Sequence, residues 1–250
     1  MYNYKLDKLI RILKTYTSKV EKPKEPSLNP EETWKCLIEQ ICVRGGSKSI
    51  DLLIEHGEKN KFLSQLSLEK MPVSYNKTLQ ILTDFRATRF RPSAAKTIIE
   101  NYHRCFSKHE FKFISLLREN IPERKLTKER IEAERRVRTK LINEHAFIWV
   151  FRRKDKWEVY DWKKKPISDW LKDIGFAVTL FPFDTRVKKV SKELGIKKVT
   201  DENYEEIEDL LIKHACRTLG ILPIQLDKIF YRNSDEIIRK LNSANKTRTF

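Results

Sequence analysis

The sequence predicts a mainly α-helical fold, and three observations carry that reading. Apolar residues recur at helical period through most of the 250 residues. Six glycines and nine prolines leave few places where a helix must break. One aromatic, β-branched stretch, residues 146–160, departs from the habit and reads as a short β-hairpin with a polar turn at 153–156. Hydrophobic residues at 40% are enough to build a core in a chain of this length without cross-links. No apolar run approaches the ~20 residues needed to cross a bilayer.

The elements follow in order. Leu6, Leu9, Ile10, Leu13 and Val20 share one face of a helix over 5–20. Pro23, Pro26 and Pro30 make residues 22–30 a stiff, charged linker. Asn29-Pro30-Glu31-Glu32 is a helix start: a capping side chain, proline in the first turn, then acids near the positive end of the dipole. That helix carries Trp34, Leu37, Ile38, Ile41 and Cys42 and stops at Arg44-Gly45-Gly46. A helix over 47–55 and shorter apolar segments around 62–66 and 79–82 lead to a basic loop, 86–92. Residues 93–106 form a helix with Ala94, Ala95, Ile98, Ile99 and Tyr102 facing inward, and 111–118 continue the pattern. Over 123–143 the sparse apolar residues Leu126, Ile131, Val137, Leu141 and Ile142 predict a solvated, Arg-rich helix. After the hairpin come helices near 166–174, over 185–194 (ended by Gly195), over 203–219, and from about 226 onward.

Charge gives the first functional clue. Fifty-two Lys plus Arg oppose 35 Asp plus Glu, a net +17. A polyanion is attracted to such a surface because each neutralised phosphate releases a condensed counterion, so the expected partner is nucleic acid and not a membrane. The other reading of that charge is a solvated surface tuned for solubility or heat. Cys36, Cys42, Cys105 and Cys216 are scattered with no Cys-x-x-Cys pair, and the five histidines lack ligand spacing, so neither metal nor cofactor is expected. The residues after Met1 lack the apolar core of a secretory signal, which predicts a cytoplasmic (nucleoid-associated) or nuclear protein.

The segment 163–195 carries the chemistry: helix, apolar link, aspartate, helix. Phe183-Asp184-Thr185-Arg186-Val187 puts a carboxylate at the N-cap of the 185–194 helix, where free N–H groups favour its ionised form. Val187, Val190 and Leu194 would anchor that helix and hold the carboxylate rigidly. Taken alone, the same residues describe an ordinary aspartate cap.

Pro182-Phe-Asp-Thr-Arg-Val-Lys-Lys-Val-Ser-Lys-Glu-Leu-Gly-Ile196 resembles the Asp-Thr-His-Val…Arg-Leu-Gly-Ile segment of the helix-hairpin-helix superfamily of DNA glycosylases. Three further stretches fall in that family's order. Trp34 to Arg44 is similar to the helix leading into the DNA-intercalating turn, and Thr88-Arg-Phe-Arg-Pro-Ser-Ala-Ala-Lys-Thr-Ile-Ile99 to the Arg-Phe-x-x-x-Lys-Ala-x-x-Ile element. Tyr204–Leu211 with Gln225-Leu-Asp-Lys-Ile-Phe-Tyr231 resembles the tail of archaeal 8-oxoguanine DNA glycosylases, the closest branch. The likeness spans most of 30–235, apart from 107–160.

This resemblance implies a two-lobed helical unit over 30–250, following an N-terminal helix and linker over 1–29. It implies a monomer that acts on duplex DNA containing a base lesion, 8-oxoguanine above all. Asp184 becomes the catalytic carboxylate that stabilises an oxocarbenium-like sugar. Lys165, in the window before it, becomes the amine of a Schiff base that permits strand cleavage. Neighbouring Lys163 and Lys164 would favour the neutral amine. They would also take the phosphate contact as point charges, because Asp161-Trp162-Lys163-Lys164 stands where the family has its hairpin glycines. Arg44 would fill the hole left by the flipped base, Phe230 and Tyr231 would line the base pocket, and Arg86, Arg89, Arg91 and Arg186 would contact DNA. Two alternatives stay open: a monofunctional glycosylase for another lesion, and a non-catalytic DNA- or RNA-binding protein on the same scaffold.

Overall fold

The computed structural model of the chain describes residues 2–43, 48–107, 112–120, 125–143, 150–153, 156–159, 164–196, 199–200 and 202–243. These residues are mainly helical, as expected. The predicted hairpin stands at β1 (Val150–Arg153) and β2 (Lys156–Val159), antiparallel with Val150 opposite Val159 and Arg153 opposite Lys156.

Two compact units divide the chain. The first takes residues 1–24, 122–135 and 177–250; the second takes 25–121 and 136–176. The expected division at 29/30 is therefore not the one the contacts draw, since the N-terminal helix belongs with the C-terminal third of the chain.

In the first unit, α1 (Tyr2–Lys14) is shorter than predicted, followed by a 3₁₀ turn at Thr17–Lys19. Its buried face, Leu6, Leu9, Ile12 and Leu13, enters a core with Phe181, Phe183, Val187, Val190, Tyr204, Leu211, Leu226, Phe230 and Ile237. Each such side chain contributes about 1.5–3 kcal/mol by leaving water. The Lys5 ammonium donates to the Glu193 carbonyl at 2.8 Å, tying α1 to the last turn of α10 (Thr185–Glu193). Gly195 ends α10 as predicted. Its φ of +80° lets its N–H and that of Ile196 fold back onto the carbonyls of Lys192 and Ser191. The predicted 203–219 helix is α11 (Tyr204–Leu211), a π-helical turn at Ile212–Cys216, and α12 (Arg217–Leu219). The closing helix, α13 (Pro223–Ser243), starts three residues earlier than predicted, with proline at its first position.

In the second unit, α2 (Pro30–Cys42) begins as the sequence says: the Asn29 side chain accepts from the N–H groups of Glu31 and Glu32 at 2.9 and 3.2 Å. Next come α3 (Ser49–Glu55), α4 (Lys59–Gln65), α5 (Tyr75–Asp84), α6 (Arg91–Asn101) with a π-helical turn at Tyr102–Phe106, α7 (Lys112–Glu119) and α9 (Lys164–Asp173). An aromatic row forms the core: Trp34 on Phe106 at 4.7 Å between centroids, Phe106 on Phe113 at 5.0 Å, and Phe113 on Trp170 at 5.9 Å. Both tryptophan N–H groups are satisfied, Trp34 by the Leu66 carbonyl at 2.7 Å and Trp170 by the Thr33 carbonyl at 3.0 Å.

One expectation fails for a physical reason. The helix over 123–143 is α8 (Lys128–Asn143), whose residues up to 135 count with the first unit and the rest with the second. It is not solvated on its charged face: Arg130, Glu134 and Arg138 are 2%, 0% and 0% exposed. They recur at i, i+4 and i+8, so a charged ridge lies where an apolar stripe would ordinarily lie. Hydrogen bonds to the rest of the chain compensate its burial.

Candidate functional site

The link from 176 to 183 is entirely buried yet has no helix or strand, so its backbone groups need partners. Side chains supply them. The Glu134 carboxylate accepts from the N–H groups of Val178 (2.9 Å) and Thr179 (2.8 Å) and from the Thr179 hydroxyl (2.7 Å), while Arg130 donates to the same group. Glu208, itself fully buried and bonded to Arg135 at 3.1 Å, accepts from the Phe181 N–H at 3.0 Å. The Tyr204 hydroxyl donates to the Phe181 carbonyl at 2.8 Å and accepts from the Phe183 N–H at 3.2 Å. Two carboxylates and one phenol thus fix the chain immediately before Asp184.

Asp184 is the N-cap of α10. Its Oδ1 accepts from the N–H groups of Arg186 and Val187, both at 2.8 Å. Its Oδ2 stands 3.5 Å from Arg186 Nη1, and the side chain keeps 22% exposure. The Arg186 guanidinium lies over the Tyr231 ring, 4.0 Å from the centroid, and Tyr231 is 55% exposed. Asp184, Arg186 and Tyr231 are thereby brought together in the first unit: a fixed carboxylate at a helix N-terminus beside an accessible cation–aromatic stack. Phe230 does not join them. It is 0% exposed and packs 6.1 Å from Phe181, so it is a core residue and its place in a base pocket is corrected.

Lys165 lies in the first turn of α9, in the second unit. Its ammonium donates to Asp169 one turn on, and Lys172 donates to the other oxygen of that carboxylate at 2.8 Å. Burial pushes the Asp169 pKa up, but the charges and hydrogen bonds of Lys172 and Lys165 outweigh it and bring it down to about 2. Asp173 on the same helix goes the other way, raised chiefly by burial although Gln40 donates to it. Lys164 begins α9, with its carbonyl accepting from the Ser168 hydroxyl at 2.7 Å. Arg86 and Arg89 are exposed and Arg91 half-buried around the turn into α6, and Arg86 has a left-handed backbone at φ +48°. Arg44 and Lys163 lie outside the described residues.

Three residues that shape these surroundings were not singled out in the sequence. Asp169 had a local signal, the i, i+4 spacing from Lys165. Glu134 shares that spacing with Arg130, but its other partners lie 44 and 45 residues on and those of Glu208 lie 27 and 73 residues back, where no local signal reaches. Burial pushes the Cys105 thiol up to about 12 and raises Cys42 and Cys216 further, away from the reactive thiolate. Among the described residues no group of three His, Cys, Asp or Glu side chains converges as a metal site would require, and no helix is long and apolar enough to cross a membrane. No known family model, curated protein or solved structure matches the chain.

Proposed function

We propose that the protein is a DNA glycosylase that flips a damaged base, 8-oxoguanine in the first instance, out of the duplex and cleaves its glycosidic bond. Asp184 is the carboxylate that stabilises the positive sugar left by the departing base. Lys165 is the amine that attacks C1′, forms a Schiff base and permits β-elimination. The observation that supports this reading best is the setting of Asp184. One oxygen is locked by two backbone N–H groups, while the carboxylate stays partly open beside Arg186 and the exposed Tyr231 ring. A guanidinium–aromatic stack is also a surface on which a base can stack or a phosphate can pair. The net charge of +17 suits a duplex partner.

One observation favours a second reading. The Lys165 ammonium is engaged by Asp169, and it must leave that carboxylate and lose a proton before it can attack. A water nucleophile with Asp184 as its only carboxylate partner, a monofunctional glycosylase, needs no such step. Single-turnover assays on a panel of single-lesion duplexes, with borohydride added, separate the readings. Excision with a covalent protein–DNA cross-link that Lys165→Gln abolishes supports the glycosylase–lyase. Excision without a cross-link supports the monofunctional enzyme. Lesion-independent binding with no excision on any duplex leaves a DNA-binding protein and refutes both enzymatic readings.

A further inference from the structure

A groove of about 520 Å³ opens in the first unit between the end of α1 with its 3₁₀ turn and the middle of α13. That is the size range of small-molecule sites. It is remote in sequence from Asp184, and neither the sequence reading nor the proposed function makes use of it. Tyr16, Val20 and Ile229 give it an apolar side, while Lys19, Lys228, Arg232 and Lys240 bring four cations to its lining. Only one carboxylate, Glu236, lines it, and that group is committed to Lys240 at 2.7 Å. Lys240 also lies over the Tyr16 ring, 5.2 Å from the centroid, and donates to its hydroxyl at 3.3 Å. The far end of the groove is therefore neutralised, and the excess positive charge sits with Lys228, Arg232 and Lys19.

The structure also shows what those cations accept. Glu21 reaches them from the linker after the 3₁₀ turn: its Oε1 is 2.9 Å from Arg232 Nη2 and its Oε2 is 3.4 Å from Lys228 Nζ. Gln225 holds the Glu21 backbone carbonyl at 3.3 Å. Two oxygens of one anion, spread across a guanidinium and an ammonium, is the geometry in which a phosphate is bound. Glu21 is 60% exposed, so its ion pairs are of the surface kind that a better anion can displace at small cost.

We propose that this groove is a phosphate-ester site of mononucleotide size. The phosphate replaces the Glu21 carboxylate on Arg232 and Lys228, with Lys19 as a third cation, and the apolar remainder rests against Tyr16, Val20 and Ile229. The phosphate has two chemical sources, a free nucleotide or the backbone of a nucleic acid, and both present the same group to these cations. The site does not depend on the chemistry assigned to Asp184, so either can fail without the other.

Titration calorimetry of the full chain with adenosine 5′-monophosphate, and with adenosine as the phosphate-free control, tests the proposal. The nucleotide should bind at least tenfold more tightly than the nucleoside. Glu21→Gln removes the competing charge and should tighten nucleotide binding several-fold, whereas Arg232→Glu should weaken it tenfold or more. Both positions are exposed, and unchanged thermal melts will show that the variants fold. A duplex with unphosphorylated ends that displaces the nucleotide in an Arg232-dependent way supports the site with the nucleic-acid backbone as its source. A duplex that leaves the nucleotide bound supports the site with a free phosphate ester. Nucleotide binding that is absent, no tighter than that of adenosine, or indifferent to both substitutions overturns it.

Discussion

Asp184 caps a helix in the first unit and Asp169 sits midway along one in the second, and their carboxylates are held in different ways. Backbone N–H groups hold Asp184 through one oxygen. Two lysine ammonium groups hold Asp169, one on each oxygen. Asp184 has one oxygen fixed by backbone donors, while the other stands 3.5 Å from Arg186 Nη1 and the side chain stays partly exposed. A carboxylate neutralised by flexible cations has its charge spent within the protein. The difference teaches that the resource for external chemistry is the cap, whereas the lysine–aspartate cluster is first of all an internal structure from which Lys165 must be released.

Measurements at five residues can break or sharpen that contrast. The largest effect is expected at Glu134, which carries the link leading to Asp184. Glu134→Ala leaves two backbone N–H groups, the Thr179 hydroxyl and the Arg130 guanidinium without their carboxylate. It should cost about 3–5 kcal/mol in urea unfolding. A loss below about 1 kcal/mol would mean that the buried link is held by something other than side-chain carboxylates. Next, Asp184→Asn retains a capping oxygen, so stability should move by no more than about 0.5 kcal/mol. Under the proposed function, single-turnover excision should nevertheless fall at least ~100-fold, because a fixed charge facing the reacting sugar has gone. Excision within a few-fold of wild type would reduce Asp184 to a cap.

Asp169 should behave in reverse, with stability depending on its charge. Its pKa is about 2 when folded, below the ordinary carboxylate value, so its contribution is complete above that ordinary value and disappears as pH falls toward 2. Asp169→Asn should therefore cost about 2 kcal/mol at pH 7 and almost nothing near pH 2, read from denaturant midpoints at both pH values. A gap that persists at pH 2 would assign the loss to packing rather than to the two lysines. Asp173 should show the opposite sign, since its raised pKa makes its charge a growing cost as pH rises through and above the ordinary range. The smallest effect is at Tyr231. Being 55% exposed, it should leave thermal stability unchanged when replaced by Ala, while affinity for a lesion-containing duplex weakens by about 1 kcal/mol. An unchanged affinity would separate the Arg186–Tyr231 stack from DNA.

What could be read in the sequence was local. Asn29 was legible as a cap because its partners are two and three residues away, and Asp184 for the same reason. Gly195 was legible because the left-handed turn it permits is decided within a few residues. The α8 helix was legible as a helix but not as a buried one. Period and composition assign Arg130, Glu134 and Arg138 to water, and only the N–H groups of 178 and 179 and the Ser168 hydroxyl, 30 to 45 residues away, reveal why they are inside. Phe230 and Tyr231 show the same limit at single-residue scale. They are adjacent and chemically alike, but α13 buries one in the core and turns the other to solvent beside Arg186.

The assembly of the first unit from three separated stretches also sets an order of events at the ribosome. The apolar face of α1, Leu6 to Leu13, is made first, and its core partners lie between Phe181 and Leu241. At about 5–20 residues per second, translation leaves that face without its native neighbours for on the order of ten seconds or more. A lone 13-residue segment is too short to hold its helix in water meanwhile. The second unit has every one of its residues by position 176 and is free to fold during that interval. A nascent chain halted near residue 220 should therefore carry a folded second unit while the apolar face of α1 still lacks most of its partners, the kind of surface that chaperones hold. Release of that hold would await the synthesis of α13.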